Sequence, residues 1–236
     1  MAMCAAEAGQ AATGSNTALR RIGVLGSMFD PIHLGHTNAA LVAGRALGLE
    51  QVLLVPCGNP VHRGHAFASA SERCAMVELA IAGEPLLQLD RREVRSDAPS
   101  YMIDTISSLQ REQPGVSWYL LVGIDAFLGL PGWKQWQQLL DQVNLVVMTR
   151  PGYALDPDLL PPGLRQEWQQ RQVQDFSLLA AQKRGAILSV DVLTPDLSST
   201  RVRELIKTGG GLGSILHTAV AAHIRAHCLY LSGDTD

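Results

Sequence analysis

Two histidines three residues apart, His33 and His36, stand where a short apolar run gives way to a helical pattern. The segment reads Gly26-Ser27-Met28-Phe29-Asp30-Pro31-Ile32-His33-Leu34-Gly35-His36. Ile22-Gly23-Val24-Leu25 before it has the character of a buried strand, and Thr37 to Leu47 after it has helical apolar spacing. The order is therefore strand, tight loop, helix start. Side chains at i and i+3 share one face of a helical turn. The first-turn N–H groups carry the positive end of the helix dipole. Together these make a site for a polyanion, most simply a phosphate. Gly35 between the imidazoles removes a side chain where a phosphate would approach. A surface loop with incidental histidines is the plainer alternative, but context and spacing coincide here and favour the phosphate site.

A second constellation lies near the other end of the chain, Leu197-Ser198-Ser199-Thr200-Arg201-Val202-Arg203. Ser198 or Ser199 can cap the helix that follows, and a cap alone would account for them. Hydroxyls and two arginines at a helix start also form a phosphate clamp, because guanidinium forks match phosphate oxygens.

The elements that must hold these groups alternate along the chain. Further strands are expected at 51–56, 86–89, 118–123, 143–148 and 186–190. Helices are expected from Ser71 to a stop at Gly83, from Tyr101 to Gln110, from Ser199 to Lys207 and from about His217 to His227. The near-continuous apolar character of 118–123 and 143–148 suits parallel strands covered on both faces. The expected architecture is a doubly wound, mostly parallel α/β sheet in a single domain over 21–236, with ligands at the carboxyl ends of its strands. Residues 1–20 are expected to be a disordered leader. Pro151–Pro162 is expected to be an insertion loop, and Thr208–Gly213 a helix exit.

The chain has 236 residues, of which 47% are hydrophobic and 17% charged, with a formal net charge of −3. Such a balance argues against a general nucleic-acid binder, which needs a basic face. Cys4, Cys57, Cys74 and Cys228 lie far apart and form no metal or redox motif. No apolar stretch reaches the length of a membrane span, and the first residues lack the pattern of a secretory signal. A cytoplasmic location is the resulting expectation. The dinucleotide fingerprint, the P-loop, the zincin motif and the hydrolase elbow are all absent.

The first segment resembles the His-x-Gly-His signature of the nucleotidyltransferase superfamily, and the second resembles that superfamily's late Ser-Ser/Thr-Thr-x-Ile/Val-Arg signature. Between them, Pro60-Val61-His62-Arg63, Ala98-Pro99-Ser100-Tyr101, Gly123-x-Asp125, Leu130-Pro131-Gly132-Trp133 and Arg150-Pro151-Gly152-Tyr153 occur in order. This series resembles the bacterial nicotinate-nucleotide adenylyltransferases, from about Arg21 to Tyr230. The resemblance implies transfer of AMP from ATP to nicotinate mononucleotide, giving nicotinate adenine dinucleotide and pyrophosphate in NAD biosynthesis, with Mg²⁺ as cofactor. It implies catalytic roles for His33, His36 and Arg203, and ATP contacts at Gly26, Ser27, Met28, Phe29, Ser198, Ser199 and Thr200. It implies acceptor contacts at Arg63, Tyr101, Met102, Gly123, Asp125, Trp133, Lys134 and Arg150. Trp133 would stack on the nicotinate ring while the Trp133 and Lys134 backbone N–H groups hold its carboxylate. Ser27 stands where the family has a second glycine, Met28 where it has a hydroxyl residue, and Met102 where a threonine is common.

Plainer readings stand beside several of these roles. Trp133 could be a core aromatic, Asp125 an N-cap, and His62 and Arg63 a solvated loop. His223 and His227, with His217 before them, have metal-ligand spacing, but no carboxylate or cysteine is near in sequence; a helix surface is the expectation. The adenylyl transfer itself needs no general base, since the attacking phosphate is already anionic; alignment and charge neutralisation suffice. Mg²⁺ would be held mostly by phosphate and water, so no protein metal ligands are expected. A nicotinamide mononucleotide or phosphopantetheine adenylyltransferase, or a non-catalytic nucleotide sensor, are the alternatives, and a homo-oligomer is left open.

Overall fold

The computed structural model describes residues 19–60, 66–149, 155–192 and 197–231. The expected leader lies almost wholly outside these, as do His62, Arg63, Arg150 and the first residues of the expected insertion loop. Six described strands form one sheet: β1 (Arg20–Ser27), β2 (Gln51–Pro56), β3 (Leu87–Leu89), β4 (Val116–Gly123), β5 (Asn144–Thr149) and β6 (Ile187–Asp191). Their spatial order is β3-β2-β1-β4-β5-β6 and every pairing is parallel. The doubly wound α/β expectation holds.

Nine described α-helices cover the sheet: α1 (Leu34–Ala46), α2 (Ala70–Ile81), α3 (Met102–Glu112), α4 (Ile124–Leu128), α5 (Trp136–Gln142), α6 (Pro162–Arg171), α7 (Phe176–Ala181), α8 (Ser199–Lys207) and α9 (Thr218–Ala226). Strand side chains alternate between two apolar layers. Leu25, Leu54, Tyr119, Leu121, Val146 and Leu188 pack with Ala40 and Ala43 of α1, Met76 and Val77 of α2, Val202 of α8 and Val220 of α9. Ile22, Val24, Leu53, Trp118, Leu120, Val122, Leu145 and Val147 pack with Ile106 of α3, Phe127 of α4, Leu139 of α5 and Trp168 of α6. Burial on both faces is why these strands read as unbroken apolar runs.

The expected strands and the helices around Ser71, Tyr101, Ser199 and His217 are all found, with ends shifted by a few residues. A helix opened by Asp125 was expected and corresponds to α4, whereas α5, α6 and α7 were not expected. Helix α6 shows why: it buries only Leu164 and Trp168, one turn apart, and the rest is Pro, Gly, Arg, Gln and Glu. Too little apolar periodicity remains to be seen without the sheet that covers it. The region expected as an insertion loop ends in a 3₁₀ turn at Pro157–Leu159 followed by α6.

The strand order reverses direction between β1 and β4. In an open parallel sheet that switch point leaves a crevice beyond the carboxyl ends of the strands. The first signature leaves β1 there, and the Gly123–Asp125 segment leaves β4 beside it. The opposite edge is pinned by polar side chains. Asn144 is fully buried; its Nδ2 donates to the Gln182 carbonyl at 3.0 Å, and its Oδ1 accepts from the Ala186 N–H at 3.2 Å. Ser117 Oγ donates to the Lys183 carbonyl at 2.8 Å. These bonds close the turn between α7 and β6.

Replacing Asn144 by Leu leaves the buried Ala186 N–H without its partner, at about 1–3 kcal/mol, while the Gln182 carbonyl belongs to an exposed residue. Asn144→Leu is therefore expected to lower the urea midpoint by the equivalent of about 1–3 kcal/mol. Because the residue lies at the amino-terminal edge, catalytic rates at low temperature should stay within about twofold of wild type, on the expectation that distant sites act independently.

Candidate active site

The two signatures meet at the end of β1. Ser199 Oγ donates to the Pro31 carbonyl at 3.0 Å, and Arg203 Nη1 donates to the Asp30 carbonyl at 2.6 Å. The N–H of Leu34, first residue of α1, donates to the Ile215 carbonyl at 3.0 Å. One of the first-turn donors expected to face a phosphate is thus already used by the chain. Ser198, not Ser199, is the cap of α8, its hydroxyl accepting from the Arg201 N–H at 3.2 Å.

His33 is the N-cap residue of α1 and is only 4% exposed. Its ring stacks on that of His36, with centroids 3.8 Å apart and an interplanar angle of 25°. His36 Nδ1 accepts from the His33 N–H at 3.3 Å, and Phe29 meets the His36 ring edge-on at 5.0 Å. The pairing of imidazoles expected from the spacing is present. Gly35 has a further reason to be glycine beside the one expected: a Cβ there would meet His33 Nδ1 at 2.9 Å. The glycine makes room for the neighbouring imidazole, not only for a ligand.

Removal from water disfavours the charged imidazole and depresses the His33 pKa to about 4. The His33 ring is therefore neutral near pH 7. Fixed positive charge is left to Arg203. Its guanidinium lies 4.2 Å over the Phe67 ring, and Nη2 donates to Thr200 Oγ1 at 3.2 Å. Arg201 points elsewhere, is exposed, and pairs with Glu204 at 3.4 Å.

Beneath the loop lie supports that the sequence did not single out. The Asp30 carboxylate, 3% exposed, accepts from the Phe67 N–H at 2.7 Å, the Ala68 N–H at 3.1 Å and the Tyr230 hydroxyl at 2.7 Å. Burial, and then Asp30 itself, push the Tyr230 phenol well above its ordinary range, so it stays a donor. Arg73, 1% exposed, donates to the Met28 carbonyl at 2.8 Å. Phe29 holds a left-handed φ of 49° with its side chain fully buried. A non-glycine residue there costs on the order of 1 kcal/mol or more. The Arg73 bond and the buried ring hold it in place. Asp30 and Phe67 carried a signal, as an acidic residue inside the motif and an aromatic in a polar loop; Arg73 and Tyr230 carried none.

Across the crevice, Ser100 Oγ accepts from the Gly58 and Asn59 N–H groups at 3.1 Å each, tying the loop after β2 to the start of α3. Met102 reaches back over β1: a Cβ on Gly26 would meet its Cε at 2.4 Å. Met102 thus packs directly over Gly26. Gly123 is the N-cap of α4, and Asp125 lies one turn-position inside it, exposed; the N-cap reading of Asp125 is corrected. Trp133 is half-buried at the end of the 3₁₀ turn Leu130–Gly132, and its N–H donates to the Leu130 carbonyl at 2.9 Å. That N–H is committed to the turn, which corrects the expectation that it faces a carboxylate. Lys134 Nζ lies 4.4 Å over the Tyr101 ring and 2.9 Å from Asp104, so Tyr101 and Lys134 lie against each other.

Two further expectations change. His217 bonds Thr37 Oγ1 at 2.9 Å and joins α9 to α1. His223 and His227 are not a bare helix surface, because Glu72 of α2 lies between them and α2.

The family described as cytidylyltransferase-like matches residues 24–205. A protein of Aeromonas hydrophila named "probable nicotinate-nucleotide adenylyltransferase" is 44% identical over 209 residues, covering 89% of this chain and 96% of its own. The chain belongs to the nicotinate-nucleotide adenylyltransferase family. A Pseudomonas putida member with the same name is 38% identical over 231 residues, covering 98% of each chain. The fold is shared with the Plasmodium falciparum nicotinic acid mononucleotide adenylyltransferase solved as a complex with NaAD. That structure gives a TM-score of 0.67 at 14% identity, over 89% of this chain and 97% of the other. No helix among the described residues is long and apolar enough to cross a membrane.

The depressed His33 pKa has a consequence for stability. Between pH 6.5 and about 4 the unfolded chain takes up a proton that the folded protein refuses. Stability is thus expected to fall as pH drops through that window, by about 3 kcal/mol in full. Urea midpoints at pH 7 and pH 4.5 should show this acid-side loss in wild type and a smaller one in His33→Asn.

Proposed function

We propose that the chain transfers AMP from ATP to nicotinate mononucleotide, giving nicotinate adenine dinucleotide and pyrophosphate in the synthesis of NAD. The observation that carries this reading is the meeting of stacked His33 and His36 with Arg203 at the switch point of the sheet, in a chain of this family. A triphosphate laid across the end of β1 would find the two stacked imidazoles on one side, that of His33 neutral, and a guanidinium on the other. The acceptor phosphate attacks the α-phosphorus in line, and pyrophosphate leaves as negative charge builds on it. The work of the protein is to align the two phosphates and to place donors where charge develops.

Mg²⁺ belongs to this proposal as an ion that arrives with the nucleotide. The Asp30 carboxylate already accepts three hydrogen bonds, so it suits a supporting role better than a metal ligand. The donor set around the loop is nitrogen and backbone, whereas Mg²⁺ prefers oxygen in octahedral array; phosphate and water would hold it. It would supply charge neutralisation at the phosphates. The residues are consistent with a metal so held. A location in the cytoplasm, where ATP is abundant, goes with the reading.

Arg203 should not be replaceable by lysine. Its planar head both stacks on Phe67 and forks between the Asp30 carbonyl and Thr200, which an ammonium cannot reproduce. Arg203→Lys is expected to lower kcat/KM at least about tenfold, while Arg201→Lys stays near wild type, as the contrast in their contacts predicts. Full activity in Arg203→Lys would mean that only a point charge is needed.

Acceptor choice is tested by initial rates with nicotinate mononucleotide and its amide analogue, at subsaturating concentration and fixed Mg-ATP. With the Trp133 N–H tied to Leu130, the acid-specific contact falls to the Lys134 segment unless the turn opens. One donor left facing an amide NH₂ costs about 1–3 kcal/mol, so the acid is expected to be preferred by about tenfold or more. Equal kcat/KM values would remove the acid assignment and leave adenylyl transfer standing. Inactivity with both, alongside turnover of phosphopantetheine, would reassign the acceptor altogether.

A further inference from the structure

Helices α2 and α9 bring together three metal-ligating side chains from opposite ends of the chain. His223 Nε2 lies 2.5 Å from one Glu72 carboxylate oxygen, and His227 Nδ1 lies 3.1 Å from the other. The imidazoles are one helical turn apart and stack with centroids 4.1 Å apart at 25°. One donor atom from each of the three lies within 4.8 Å of the others, and among the described residues no other group of three His, Cys, Asp or Glu converges in this way.

We propose that Glu72, His223 and His227 form a binding site for one divalent transition-metal ion of the Zn²⁺ class, which cross-links α2 to α9. Two imidazole nitrogens and a carboxylate oxygen suit a borderline cation, whereas Mg²⁺ and Ca²⁺ select oxygen ligands. In a tetrahedral site with bonds of about 2.0–2.2 Å, donor atoms sit about 3.4 Å apart. The imidazole nitrogens lie 2.5 and 3.1 Å from the two Glu72 oxygens and one donor atom from each residue lies within 4.8 Å of the others, so admitting an ion would require the side chains to adjust toward that spacing. The Glu72 backbone is fixed for this by its own helix start, where the Ser69 hydroxyl accepts its N–H at 3.2 Å. Exposure is graded, from 15% for the His223 side chain through 26% for Glu72 to 48% for His227. The ion would enter past His227 and keep a water as its fourth ligand. Hydrogen-bonding protons now hold the three side chains together; the ion replaces them and they go to solvent.

The site is structural, and separate from the Mg²⁺ that comes with the nucleotide. Glu72 precedes Arg73, which holds the Met28 carbonyl, and α9 leads to Tyr230, which holds the Asp30 carboxylate. An ion clamping the two helices would secure both supports of the loop that carries His33 and His36.

The test titrates Zn²⁺ into chelator-stripped, buffer-exchanged protein against a chromogenic competing chelator, and measures the thermal midpoint with and without one equivalent. Wild type is expected to bind one ion and to melt higher with it. His223→Ala, Glu72→Gln and His227→Gln should each weaken binding at least about tenfold and lose the melting shift, as expected when one of three protein ligands is removed. His217→Ala, which lies outside the cluster, should bind as wild type does. His227→Gln, at the exposed rim, keeps the test decisive if either of the more buried variants fails to fold. Absence of a stoichiometric site in wild type overturns the proposal. So does a site whose affinity is unchanged in His227→Gln, since the ion then sits elsewhere.

Discussion

The buried carboxylate of Asp30 is the joint on which the site depends. It sits inside the loop that leaves β1 and draws three donors to itself, from the Phe67 and Ala68 backbone and from the Tyr230 hydroxyl. Hydrogen bonds to a charged group contribute about 1.5–3 kcal/mol each when buried, so the three together outweigh most single contacts in the molecule. Their value lies as much in position. The carboxylate fixes the loop that leads to His33, the entry to α2, and the chain beyond α9. The carbonyl of the same residue receives Arg203, so the late signature is anchored on the early one through a single amino acid.

Around that joint the chain divides its electrostatic tasks. Burial keeps His33 neutral, while Arg203 keeps a fixed charge against the Phe67 face. A site that must bind one polyanion and release another has reason to avoid stacking up permanent positive charge, since uniform binding of ground and transition states does not raise kcat. Donors that are preorganised but uncharged serve the developing charge without holding the product. Tight packing supports the arrangement: the His33 ring fills the space a Gly35 Cβ would need, and Met102 fills the space over Gly26.

The same elements that support the loop carry the two imidazoles and the carboxylate between α2 and α9. Arg73 and Glu72 are neighbours in sequence, yet one faces the Met28 carbonyl and the other the histidines of α9. Helical geometry separates consecutive side chains by about 100°, which lets one turn of α2 serve two purposes. Tyr230, which follows α9, also bonds the Asp30 carboxylate within the loop after β1.

What the sequence determined by itself was everything carried by short-range pattern. The parallel strands announced themselves as apolar runs because both faces are covered, and the two signatures because their residue types recur at fixed spacing beside a helix start. Helices α6 and α7 stayed hidden, since a few buried residues such as Leu164, Trp168 and Leu179 give no periodicity until the sheet shows which face is inside. The tertiary structure alone decided the rest. It chose Ser198 as the cap and tied the Trp133 N–H into its turn. It set Arg73 and Tyr230 beneath the loop and Glu72 between two histidines remote from it in sequence. The physical reason is common to all of these. A hydrogen bond or a ligand cluster depends on distances of about 3 Å between groups whose separation along the chain carries no trace of it, and only the packed sheet and its helices bring them within reach.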